Sequence, residues 1–102
     1  MFDKYNRYTT RGIEREISIE LQLYLWNCID KLKEQGKELD YLQVFELTKE
    51  RFDDIYFQRI EHRQEVPEYR SEYNVFPTEM VNAKIFVIDD DTHSTMLLAE
   101  EY

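Results

Sequence analysis

The amino-acid sequence predicts an α+β fold: a mostly antiparallel sheet of about five or six strands with one main helix packed on a face, in the order β-α-β-β-β-β-β. Three observations carry that reading. One stretch, residues 18–36, places its apolar residues at helical spacing. From Tyr41 onward apolar residues alternate or come in short blocks, which is the spacing of strands. The chain of 102 residues is 42% hydrophobic and 15% aromatic, which suits a single domain over 1–102 with its own core and excludes a disordered chain. No repeat and no Gly-, Pro- or Ser-rich linker divides it.

Taken in order, residues 5–11 read as a short first strand ending at Gly12. Ser18 then caps the helix, Glu20 stands in its first turn, and Gly36 lies just past its end. At about 100° per residue, Leu21, Tyr24, Leu25, Cys28, Ile29 and Leu32 share one side. Tyr41–Leu47 is apolar on both alternating faces, as in a strand covered on both sides. Residues 52–66 fit either period, but a helix would bury Arg59 and Arg63 in its apolar face, so a strand is expected. Pro67 starts a turn, and 69–76 alternates Tyr69, Tyr73 and Val75 against Arg70, Glu72 and Asn74. Pro77 ends that strand. Lys84–Ile88 and Thr95–Ala99 complete the sheet around a tight polar turn, Asp89–His93.

Charge and composition exclude several functions. The net charge of −9 disfavours nucleic acid and anionic membrane as non-specific partners. The acidic excess is concentrated in residues 77–102, where Lys84 is the only cation. Two glycines cannot build a phosphate-cradling loop: Gly36-Lys37 is followed by Glu38 and has Lys31 where the first glycine should stand. One cysteine and two histidines exclude the usual structural zinc sites and an internal disulfide, and no cofactor is expected. No secretory signal or membrane-length apolar run is visible, which points to the cytoplasm.

Leu25-Trp-Asn-Cys-Ile-Asp30, Asp40-Tyr-Leu-Gln-Val-Phe45, His62-Arg-Gln-Glu-Val-Pro-Glu-Tyr69 and the ending Ile85–Tyr102 occur together. In these runs the chain resembles a small family of Gram-positive bacteria, catalogued as domain of unknown function nine hundred and sixty. The resemblance spans nearly the whole chain, and the C-terminal run is its most specific part. It implies occurrence on chromosomes, in prophages and in cassette-type mobile elements, and it carries over no catalytic residue. Lys49–Asp54 lacks the glycine-containing turn expected of relatives.

Five residue groups are weighed for chemistry or binding. Asp89, Asp90 and Asp91 with His93 could hold Mg²⁺, but aspartate is favoured in turns because it bonds its own backbone, and no distant motif completes a metal site. His62 between Glu61 and Arg63 has no neighbour able to orient it, since adjacent strand residues face opposite ways; a half-buried cross-strand partner is the simpler reading. The pair His93-Ser94 fails as a nucleophile and base for the same reason. Arg7, Tyr8 and Arg11 could clasp a phosphate backbone, against the acidic character of the domain. Arg59, Glu61, Arg63, Glu65, Glu68, Arg70 and Glu72 look like a cross-strand ladder of charges.

The helix carries a second apolar stripe. With Leu21 at 0°, Trp26, Ile19 and Leu23 fall near about 140°, 160° and 200°, away from the core side. Either Phe2, Tyr5 or the 77–83 loop covers the stripe, or another molecule does. Ile19, Leu23 and Trp26 are therefore the candidate interaction surface. The expected function is non-enzymatic: binding to another protein or to itself as a homodimer. The alternative is a nucleic-acid-linked accessory role, by direct binding or as an acidic decoy.

Overall fold

A computed structural model describes the whole chain, Met1–Tyr102. Strand β1 (Arg7–Thr9) leads into helices α1 (Arg11–Glu16) and α2 (Ile19–Glu34). Strands β2 (Leu42–Phe52), β3 (Ile55–Gln64), β4 (Tyr69–Val75), β5 (Ala83–Asp89) and β6 (Ser94–Leu98) follow, then a 3₁₀ turn at Ala99–Glu101. The six strands form one sheet in the order β1-β6-β5-β2-β3-β4. Every neighbouring pair is antiparallel except β1 and β6, which run parallel. The expected α+β class and strand count are what the chain adopts. No helix is long and apolar enough to cross a membrane.

The ends of α2 follow from local chemistry. The Ser18 hydroxyl accepts from the Leu21 N–H at the N-terminus, and beyond the C-terminus Gly36 takes a φ of +74°, which glycine adopts without a Cβ clash. Its inner side carries Leu21, Leu25, Cys28, Ile29 and Leu32 into one core with Phe45, Leu47, Ile60, Ile85, Val87, Met96 and Leu98. The register puts all those strand residues on one face of the sheet. Ile13 and Ile17 of α1, together with Phe2, join the same core, so both helices lie on that face.

Several boundaries differ from expectation. Residues 5–11 give only the three-residue β1, because Thr10 leaves the strand and caps α1, its hydroxyl accepting from the Ile13 N–H. Gly12 does not end a strand. It lies inside α1, where the absence of a side chain admits the Glu101 carboxylate: a Cβ there would stand 2.5 Å from its carbon. Strand β2 runs on to Phe52, and a two-residue turn, Asp53-Asp54, closes the hairpin with Asp53 at φ +55°. Residues 55–64 are strand, which carries Arg59 and Arg63 out of the core onto the far face of the sheet. The second face of β2 carries no helix, yet Val44 on it is buried and Leu42 and Glu46 are half-buried.

Candidate functional site

One face of the sheet carries no helix, and the register composes it row by row. One row reads Arg70, Arg63, Val44, Phe86 and Leu97 across β4, β3, β2, β5 and β6. The next reads Leu42, Ile88, Thr95 and Tyr8 across β2, β5, β6 and β1. On the other side of the first lies Glu72, Glu61, Glu46 and Lys84. The face is thus apolar over β2, β5 and β6 and ionic over β3 and β4. A cleft of about 210 Å³ opens where the halves meet, lined by Leu42, Val44 and Phe86 with Arg63 and Lys84 among its polar residues. Tyr102 packs edge-on against Phe86, with ring centres 5.8 Å apart.

The charges pair across strands as expected, but along diagonals and not between directly opposed positions. Arg63 stands opposite Arg70, and Glu61 opposite both Glu46 and Glu72, so like charges face each other in register. Attraction runs diagonally and along the strands instead. Glu61, its side chain only 3% exposed, accepts from Arg63 Nη1 at 2.8 Å and from Arg70 Nη2 at 2.6 Å. Arg63 also reaches Glu46 at 2.9 Å, and Arg59 pairs with Glu72. Hydrogen bonding by Arg70 holds the Glu61 carboxyl below the usual glutamate range. Such a carboxylate, its lone pairs occupied and its affinity for protons reduced, is a structural anion and a poor general base.

The two histidines have separate settings. His62 lies under the helices, fully buried, stacked on Phe45 at 4.3 Å between ring centres with Tyr69 edge-on at 5.6 Å. Its Nε2 meets Gln43 Oε1 at 2.7 Å; Gln43 Nε2 donates to Gln64 Oε1 and to the Asp40 carbonyl. Gln64 in turn donates to the carbonyls of Glu38 and Pro67. Both side-chain N–H groups of Gln43 are directed elsewhere, so Nε2 of His62 is the donor and the proton sits there. Nδ1 is left buried without a partner, and burial lowers the ring's pKa to about 4. This is a polar seam tying the 38–40 segment and the Pro67 turn to β2 and β3; the cross-strand contact expected of His62 is its stack on Phe45, fully buried where half-burial was expected. No nucleophile touches it.

His93 belongs to the acidic turn. Asp90 Oδ1 accepts from the Thr92 N–H, the Thr92 hydroxyl and the His93 N–H, and hydrogen bonding from Thr92 first among these brings its pKa down to about 2. Asp89 accepts from the Phe2 N–H on one oxygen and the Asp91 N–H on the other, and Asp91 takes a φ of +78°. Both carboxylates are used in shaping the turn. Ser94 Oγ is buried, with no hydrogen bond to His93.

The stripe on α2 divides. Ile19 and Leu23 are exposed, at 63% and 62%, but Trp26 is only 8% exposed and belongs to the core. The buried arc of α2 is wider than its own periodicity indicates, because the N-terminal segment packs along its flank. Tyr5, which is 93% exposed, does not provide the cover. Arg7 does, its guanidinium 4.6 Å over the Trp26 ring and hydrogen-bonded to Asp30 at 2.5 and 3.2 Å and to the Phe2 carbonyl at 2.8 Å. That arrangement also takes Arg7 away from any phosphate-binding role with Tyr8 and Arg11. Tyr8 stays exposed against the His93 ring, and Arg11 is exposed at the start of α1. Cys28 is buried, and burial pushes its thiol up to about 12, so it is a core residue and not a reactive one.

The helix-free face was hidden from sequence reading because alternation shows that both faces of β2 and β5 are apolar without showing what covers them. The strand order, which makes these two strands central, was the missing fact.

A family model described as a Staphylococcal protein of unknown function (DUF960) matches residues 6–101. A crystal structure of a protein of unknown function from Enterococcus faecalis superposes with a TM-score of 0.73, covering 100% of this chain and 98% of that one at 24% identity. It shows the same fold. Among curated proteins none matches.

Proposed function

The chain belongs to the Staphylococcal family of unknown function DUF960, and from the geometry we propose that it is a non-enzymatic domain that binds another protein through the helix-free face of its sheet. One observation carries the reading: the rows Val44-Phe86-Leu97 and Leu42-Ile88 form a continuous apolar strip on the helix-free side of the sheet, where Leu42, Phe86 and Ile88 stay half-exposed beside the buried Val44 and Leu97. A sheet face of this kind gains when a second layer removes it from water. The partner fitted to it presents an amphipathic element, with apolar side chains over the strip and polar ones over the paired charges of β3 and β4. Together with Glu46 of β2 those charges cancel, so the face offers specificity through hydrogen bonds and ion pairs rather than long-range steering. This moves the interaction surface from Ile19, Leu23 and Trp26 to the opposite side of the molecule.

The test is photo-crosslinking in the native host. A benzophenone amino acid in place of Phe86 should give a discrete adduct, and the same group at Leu23 on the outer side of α2 should not. Phe86→Glu, still folded by circular dichroism, should no longer retain the partner identified in that adduct. Adducts formed from position 23 and not from 86, or a partner held equally by Phe86→Glu, would overturn the assignment of this face.

A further inference from the structure

We propose that the outer edge of β4 is the seam of a two-fold symmetric dimer, in which two copies of this chain join their sheets into one of twelve strands. The seam uses the edge of the sheet and stands independently of the face described above. The sheet ends at β1 and at β4. β1 offers only three residues, whereas β4 offers seven, Tyr69–Val75, in uninterrupted register with β3. No hydrogen bond outside the β3 ladder reaches the backbone of β4, so its outward N–H and C=O groups have no partner within the chain. A long, regular edge without proline, lysine or bulge is a template for another strand, and proteins ordinarily blunt it.

The side chains identify that strand as a second β4. In an antiparallel pair, opposed residues must point to the same face, so only registers whose opposed residue numbers sum to an even value are open. Four of these are centred between Arg70 and Tyr73; the Tyr73-centred one sets Glu72 against Asn74 and Ser71 against Val75, and so makes no ion pair. Placing Glu72 opposite Glu72 of the second copy opposes two carboxylates. Placing Arg70 opposite Arg70 opposes two guanidiniums. Placing Ser71 on the two-fold axis instead sets Arg70 against Glu72 twice, with Tyr69 against Tyr73 twice on the other face and the small Ser71 pair at the centre. Like charges directly opposite are unfavourable and unlike ones favourable, so the charge pattern selects the Ser71-centred register. The Arg70 and Glu72 side chains are 68% and 55% exposed, which leaves both able to take a second partner. A symmetric interface of this kind requires self-complementarity, and β4 has it.

Light scattering of the purified protein should give twice the 12.6 kDa chain mass. Glu72→Arg and Arg70→Glu each place like charges opposite one another in the seam, and each should run as a monomer. Mixed one to one they restore both ion pairs, and a heterodimer should form. Arg70→Glu also removes a partner of Glu61, so Ser71→Cys serves as a measurement without charge change. The axial pair lies about 4.5–5.5 Å apart at Cα, within disulfide reach, and mild oxidation should link two copies through position 71, while the Asn74→Cys protein should not link. A monomeric wild-type protein that also fails to cross-link through position 71 would overturn the proposal. So would a dimer indifferent to both charge reversals. An extended segment of a different protein on the same edge would appear as a monomer alone and a heteromer with that protein, and would likewise overturn the self-pairing.

Discussion

Acid should destabilise this protein through His62, and the size of the effect follows from its surroundings. The ring is fully buried, and burial takes its pKa from the ordinary 6.5 down to about 4 in the folded state. The unfolded chain therefore binds a proton that the folded one refuses. Above pH 6.5 both states hold a neutral ring and the group contributes nothing to the pH dependence. As pH falls below that value stability declines, and the decline levels off once pH passes below about 4. The full gap corresponds to about 3 kcal/mol, and between about pH 7.5 and 4.5 the loss is about 2.5 kcal/mol, from about 1.4 kcal/mol per unit. The assay is urea unfolding followed by Trp26 fluorescence at both pH values, for the wild type and for His62→Gln. Glutamine still has a donor for Gln43 Oε1 but cannot take up a proton. The wild type should lose about 2–3 kcal/mol more than the variant over this interval, while the carboxylates, Glu61 included, act on both alike. Identical pH dependence in the two proteins, or a His62 ring titrating near 6.5 by NMR, would refute the reasoning.

Two further outcomes separate structural roles from surface ones. Trp26→Glu places a carboxylate in the core and removes the ring beneath Arg7, so it should cost about 3 kcal/mol or more or prevent folding. Ile19→Glu, on the exposed part of the same helix, should shift stability by no more than about 0.5 kcal/mol; comparable melting temperatures for the two variants would contradict the packing described. In the acidic turn, Asp90→Asn keeps the accepting oxygen and should melt close to the wild type, whereas Asp90→Ala loses three hydrogen bonds and should melt lower. Because the Asp90 carboxyl is held down at about 2, its stabilisation is present above its ordinary range and is lost as pH falls through about 2. Saturable stabilisation by Mg²⁺ or Mn²⁺, abolished in Asp90→Asn, would show a metal role in place of the structural one.

What the sequence made legible is what depends on near neighbours. The α2 helix declares itself through Ser18, its apolar spacing and Gly36, and β4 through the alternation of Tyr69, Tyr73 and Val75 with Arg70, Glu72 and Asn74. Cys28 and the Asp89–His93 turn were equally readable, because burial on a helical stripe and backbone bonding by aspartate are local properties. Helix α1 was missed because six residues hold too little periodicity, and because Gly12, ordinarily a breaker, is there to admit Glu101 from the far end of the chain. Trp26 was placed outside for the same kind of reason: its cover, Arg7, comes from β1 and is fixed by Asp30, a contact that helical angles alone do not contain.

The charges of β3 and β4 show most clearly how register turns one composition into different physics. Interleaved acids and bases suggest opposite charges facing across strands. The two-residue turn at Asp53-Asp54 instead sets Glu61 against Glu46, and the turn at Pro67 sets Arg63 against Arg70 and Glu61 against Glu72. Inside the chain, that mismatch is resolved by drawing Arg63 and Arg70 together onto the buried Glu61, which makes this carboxylate the hub of the ionic half of the face. At the free edge no such hub exists, and Arg70 and Glu72 remain largely in water. In the proposed dimer the same two residues, with one strand turned about Ser71, would directly oppose each other, in addition to the diagonal contacts each makes with β3. Unlike charges two residues apart on an edge strand therefore oppose each other in one even register of a symmetric antiparallel pair, and they disfavour the two adjacent registers that set like against like. In the proposed dimer they would specify how two edges meet, leaving the helix-free face of the joined sheet outside the seam.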